Sequence, residues 1–77
     1  MTKNSYDTFL NNLQLSLQQK DFEKLDEALQ LLHSGWLTQK EIDSLDEIIS
    51  EATLYLELKE EEYREMALVL IWELEEN

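Results

Sequence analysis

The 77-residue chain contains no cysteine and no proline, one glycine, one histidine and only six lysines and arginines. Without cysteine there can be no disulfide, thiolate zinc site or cysteine nucleophile, and a reducing compartment is permitted. A single histidine excludes a multi-histidine metal centre. Six scattered basic residues form no stripe that could neutralise phosphates, so direct nucleic-acid binding is not expected. No apolar run approaches the roughly 18 residues of a membrane span, and Met-Thr-Lys-Asn-Ser-Tyr-Asp is not the basic-then-apolar start of a signal peptide. The expectation is a soluble, cytoplasmic protein with no membrane attachment.

Hydrophobic residues make up 43% of the chain, with two Trp, three Tyr and two Phe, too many for a disordered acidic tail. Abundant Leu and Glu favour helix over strand. The fold class expected is all-α: one domain over residues 1–77, a small antiparallel helical bundle. A domain of this size has a thin core and no covalent staple, which leaves oligomerisation as a further source of stability.

Apolar spacing places the elements. Tyr6, Phe9, Leu10, Leu13 and Leu17 share one face of a helix over about residues 5–18, with Asn4 or Ser5 as cap. Phe22, Leu25, Ala28, Leu29 and Leu32 mark a second over about 22–33, opened by Asp21 and closed by Gly35, which suits a left-handed terminus. Asp21-Phe22-Glu23-Lys24 resembles the turn into the second helix of a tetratricopeptide repeat. That resemblance spans one helix junction, and Leu13 and Leu25 stand where the family has small residues, so its peptide-binding function is not carried over. Thr38-Gln39-Lys40-Glu41 is a capping box, flanked by Leu37 and Ile42 as a staple. It opens a third helix over about 39–56, whose stripe is Ile42, Leu45, Ile48, Ile49, Ala52 and Leu56.

Residues 57–60 decide the topology. Tyr63, Met66, Ala67, Leu70 and Leu74 continue the third helix in phase, which gives the alternative of three helices with a long continuous C-terminal one. An unbroken helix from 39 to 75 would span about 55 Å, longer than either earlier helix could cover. Leu58-Lys59-Glu60-Glu61-Glu62-Tyr63 also repeats the spacing of the capping segment, although Lys59 is a poor cap. A break is favoured, giving four helices, the last over about 60–75.

Charge is the remaining signal. Residues 41–77 hold thirteen Asp and Glu against Lys59 and Arg64, eleven of the chain's twelve net negative charges. The acids invite catalytic or calcium-binding readings, but none sits in a recognisable shielded constellation or a glycine-containing EF-hand loop. His33 has no acid three positions before it, as a di-iron bundle would need, and suits a helix end. No enzyme activity, cofactor or metal site is expected. Trp36, after Gly35, is expected to plug the hairpin corner.

The function expected is a small acidic interaction module, of inhibitor, immunity, adaptor or chaperone type, that docks a basic protein through the C-terminal half. Asp43, Glu47, Glu51 and Glu65 are the expected acidic contacts. Leu54, Leu58, Val69 and Trp72, off the main stripe together with Leu68, form the expected apolar partner or oligomer surface. The alternatives are a homo-oligomeric bundle of structural role, with a homodimer favoured over a monomer, and a DNA mimic that inhibits a nucleic-acid-binding protein.

Overall fold

The computed structural model describes residues 5–76 and contains five α-helices and no strand among them, a small all-α bundle. The helices are α1 (Ser5–Gln19), α2 (Phe22–Gln30), α3 (Gln39–Ser44), α4 (Asp46–Leu58) and α5 (Glu61–Glu76), with a 3-10 turn over Leu31–His33. Two helical hairpins, α1–α2 and α4–α5, pack with α1 against α5 and α2 against α4. The four long helices therefore enclose one core. Phe9, Leu13, Leu17, Leu25, Leu45, Ala52, Ala67 and Ile71 are fully buried there.

The first hairpin turns in two residues. Lys20 adopts a left-handed conformation (φ 56°); its N–H donates to the Leu17 carbonyl, and that of Asp21 donates to the Ser16 carbonyl. This is a Schellman closure of α1 with lysine where glycine is usual. Asp21 at once caps α2, accepting from the Lys24 amide at 3.1 Å. The other expected caps fall differently: Ser5 is already helical, and Asn4 lies outside the described residues. The expected second helix tightens at its end, so that 31–33 is a 3-10 turn rather than α-helix. Gly35 does take the left-handed conformation expected of it (φ 77°). Leu37, not Trp36, fills the corner, and the indole stays exposed.

The capping box is present. Thr38 Oγ1 accepts from the Glu41 amide at 3.2 Å, and Glu41 Oε1 accepts from the Thr38 amide at 2.9 Å. The helix it opens is not the single one expected over 39–56. It stops at Ser44, and α4 begins at Asp46, with Leu45 between them at φ −105° and ψ 9°. Ile42, Leu45 and Ile48 are spaced by three, which winds around a regular helix by about 60° per step, since a turn takes 3.6 residues. Leu45, at the break, and Ile48, just after it, are both buried in the core. At the break the exposed Ser44 hydroxyl donates to the Glu41 carbonyl at 2.8 Å, a back-bond that weakens regular helix.

The break expected near 57–60 is present. Lys59 ends α4 in a left-handed conformation (φ 57°), its amide donating to the Tyr55 carbonyl at 2.7 Å. An unbroken helix of about 55 Å could not fit a molecule whose longest extent is 36 Å. Lys59 Nζ lies 4.8 Å from the Phe22 ring centroid, and that ring packs 5.1 Å from Tyr55. The corner between α4 and α5 is thereby fastened to the start of α2.

Candidate partner interface

Across the break at Lys59, α5 keeps most of the expected inward face: Ala67 is buried, and Tyr63, Leu70 and Leu74 are half-buried against the core. Its buried residues are Ala67 and Ile71. Leu68 is half-buried against the core, and Met66, expected inside, is 48% exposed. Val69 (49% exposed) stands opposite the Ala67–Ile71 side. Met66 and Trp72 flank it by about 60° each at 100° per residue, and Trp72 is 62% exposed. Met66, Val69 and Trp72 form an apolar stripe along the outside of α5.

Glutamates bracket this stripe. Glu62 and Glu65 precede Val69 on the outward side, Glu73 and Glu76 follow it, and all four are exposed. Glu62 to Glu76 spans about 21 Å at 1.5 Å per residue. Glu61 and Glu62 sit in the first turn, where the helix dipole favours anions, but the last turn holds Glu73, Glu75 and Glu76 and no basic residue. Anions at a helix C-terminus oppose the dipole.

The expected contact residues divide between two places. Glu65, Val69 and Trp72 belong to the outward face of α5. Glu47, Glu51, Leu54 and Leu58 run along one side of α4 at spacings of four, three and four; Glu51 and Leu54 are half-buried, and Leu58 is exposed. Asp43 lies on α3, across the Leu45 break, so the row Asp43, Glu47, Glu51 does not continue along one helix. Asp43 and Glu47 nevertheless line one shallow depression with Asp46, Leu70 and Leu74. The Asp43 carboxylate also accepts from Gln39 Nε2 at 2.9 Å. Sequence reasoning missed Met66 as a surface residue; its signal was Ile71, whose place in the core sets the centre of the buried face well away from Met66 around the helix.

Two groups at the corner where the hairpins meet have shifted pKa values. Burial, assisted by Glu61 and opposed by Arg64, raises the Tyr55 hydroxyl above its ordinary value. A hydrogen bond from Arg64 holds the Glu61 carboxyl below the usual range, with Lys20 contributing and desolvation opposing. Arg64 Nε donates to Glu61 Oε1 at 2.8 Å, and Lys20 Nζ stands 3.6 Å from the same oxygen. These contacts fasten α5 to the α1–α2 turn. Among the described residues no three His, Asp or Glu gather as metal ligands would, and no helix is long and apolar enough to cross a membrane. No family model matches the chain, and no curated protein or solved structure matches it.

Proposed function

We propose that this protein is a small all-α interaction module that docks a basic partner protein through the outward face of α5. The observation that carries this reading is the exposed Met66–Val69–Trp72 stripe, bracketed at both ends by exposed glutamates. Apolar residues at the centre of a face with charges at its rim match the anatomy of protein interfaces, where a buried aromatic supplies much of the energy. The acids around it steer a basic partner and fix its orientation. Solubility alone is a weaker account, because it does not require carboxylates in the last turn of α5, where they oppose the dipole. Catalysis, cofactor and metal have no part in this reading, and a cytoplasmic setting fits the cysteine-free sequence.

A homodimer through the same face has less support. An antiparallel two-fold pairing centred on Val69 sets Glu62 against Glu76 and Glu65 against Glu73, and a parallel pairing sets each glutamate against its own copy. Both bring like charges together. DNA mimicry is also less well supported, since the middle of the face is apolar. The test is affinity capture at low ionic strength with the wild type and with Val69→Asp, followed by identification of the retained proteins. A discrete basic protein held by the wild type and lost by a variant of unchanged helicity is the expected result; identical captures would overturn the proposal.

A further inference from the structure

The partner's chemistry can be narrowed beyond "basic". Resting on the docking role proposed above, we infer that the outward face of α5 receives an amphipathic helix with a central apolar pair and Lys or Arg on both sides of it. The order of side chains on α5 carries the inference: glutamates at 62 and 65, apolar residues at 69 and 72, glutamates at 73 and 76, all exposed along one side of a straight run of helix. Spacings of three and four are those by which one helix presents a row of side chains to another, and here the row is apolar at its centre and ends in glutamates. A partner helix of about fifteen residues carries basic residues that meet Glu62 and Glu65 at one end and Glu73 and Glu76 at the other, about 21 Å apart.

Charge complementarity selects this occupant over a second copy. Both in-register self-pairings of the face set glutamate against glutamate, whereas a helix with two basic ends answers both acidic ends at once. Met66 is well suited to such a surface, since its flexible thioether adapts to the packing it meets. The depression by Asp43, Asp46 and Glu47 is a less specific alternative, because it holds acids on one side only and lies off this face.

Trp72 supplies its own readout once Trp36→Phe removes the other indole. The probe is a synthetic, tryptophan-free helical peptide with two lysines at each end and a central leucine pair. One control replaces the leucines with serine; a second gathers all four lysines at one end. Titration at physiological salt is expected to shift Trp72 emission to the blue and to give at least about tenfold tighter binding than either control, the effect of about 1.4 kcal/mol. Glu65→Lys combined with Glu73→Lys is expected to abolish binding, and Asp43→Asn combined with Glu47→Gln to change it less than about twofold, as a rim position remote from the contact should.

Equal binding of the serine control would reduce the interaction to charge alone and overturn the inference. Equal binding of the one-ended control would overturn the bipartite match. A dimer in sedimentation that shields Trp72 without peptide would assign the face to a second copy. If the peptide fails while Val69→Asp still abolishes capture of a basic protein, the face docks something other than a helix: the inference falls and the docking role stands.

Discussion

Arg64 Nη1 donates to the Leu17 backbone carbonyl at 3.2 Å, joining the first turn of α5 to the last turn of α1. Leu17 is near the C-terminus of its helix, where the dipole favours a cation, and its carbonyl accepts from Arg64 in addition to the Lys20 amide. The same guanidinium holds Glu61, so one side chain closes the ring of helices. Replacing Arg64 with Met keeps much of the packing and removes the donor; the expected loss is about 1–2 kcal/mol, with Glu61 at the surface adding little. Arg64→Lys should recover less than half, because an ammonium cannot serve both acceptors in the planar geometry of the fork. Urea midpoints at an unchanged m-value measure both, and a neutral Arg64→Met would show the tie to be incidental.

The buried Tyr55 side chain makes alkaline pH a probe of the same corner. Burial raises its folded pKa above that of the unfolded chain. A raised value means that the contribution is complete below the ordinary tyrosine pKa, about 10, and is lost as pH rises through the higher folded value. Thermal stability should therefore fall above about pH 10 more steeply in the wild type than in Tyr55→Phe. Parallel curves for the two proteins would refute the assignment.

The helices and their faces were legible in the sequence, because periodicity, Gly35 and the Thr38 capping box are local signals. The break at Leu45 was not. No Gly or Pro marks it, and the three-residue spacing of Ile42, Leu45 and Ile48 fits a continuous helix as well. Lys20 and Lys59 in left-handed positions carry no compositional flag either, and a contact from side chain to backbone such as Arg64 to Leu17 exists only once the hairpins meet. For the candidate interface, the apolar circumference of α5 pointed to Val69 and Trp72. Met66 went to the wrong side because it stands at the edge of the expected stripe, and with Ile71 in the core the buried face turns away from it.

The two left-handed lysines allow a paired test. Glycine relieves an unfavourable conformation at either position, at some cost in chain entropy, for a net gain of about 0.5–1 kcal/mol. Lys20→Gly gives up only an exposed ion pair with Glu61 and should gain nearly all of it. Lys59→Gly also gives up the cation over Phe22, worth about 0.5–1 kcal/mol, and should come out near neutral. Equal stabilisation by the two would mean that the Lys59–Phe22 contact contributes nothing.

The capping box holds the short α3, which has no buried residue of its own. Thr38→Ala should cost about 1 kcal/mol, the usual cost of losing an N-cap side chain. Glu41→Gln keeps an acceptor for the Thr38 amide and should cost less. Hydrogen exchange reads this directly: Thr38→Ala should speed exchange of the Glu41 amide while leaving the Tyr55 and Ile71 amides protected. Uniform acceleration across the chain would instead make α3 part of the global unfolding unit.

Core and surface on α5 can be separated by a contrast within one turn. Ile71 is fully buried, and Ile71→Ala should cost about 2–5 kcal/mol from lost transfer energy and the cavity left behind. Val69 and Trp72 lie on the solvent side, and replacing either with Ser should move stability by less than about 0.5 kcal/mol, as surface substitutions do. If Trp72→Ser instead costs as much as Ile71→Ala in the isolated protein, and the loss grows with protein concentration, the indole is already covered by another copy. A concentration-independent null effect leaves Trp72 free for a partner, and its cost should then appear only when the complex is measured.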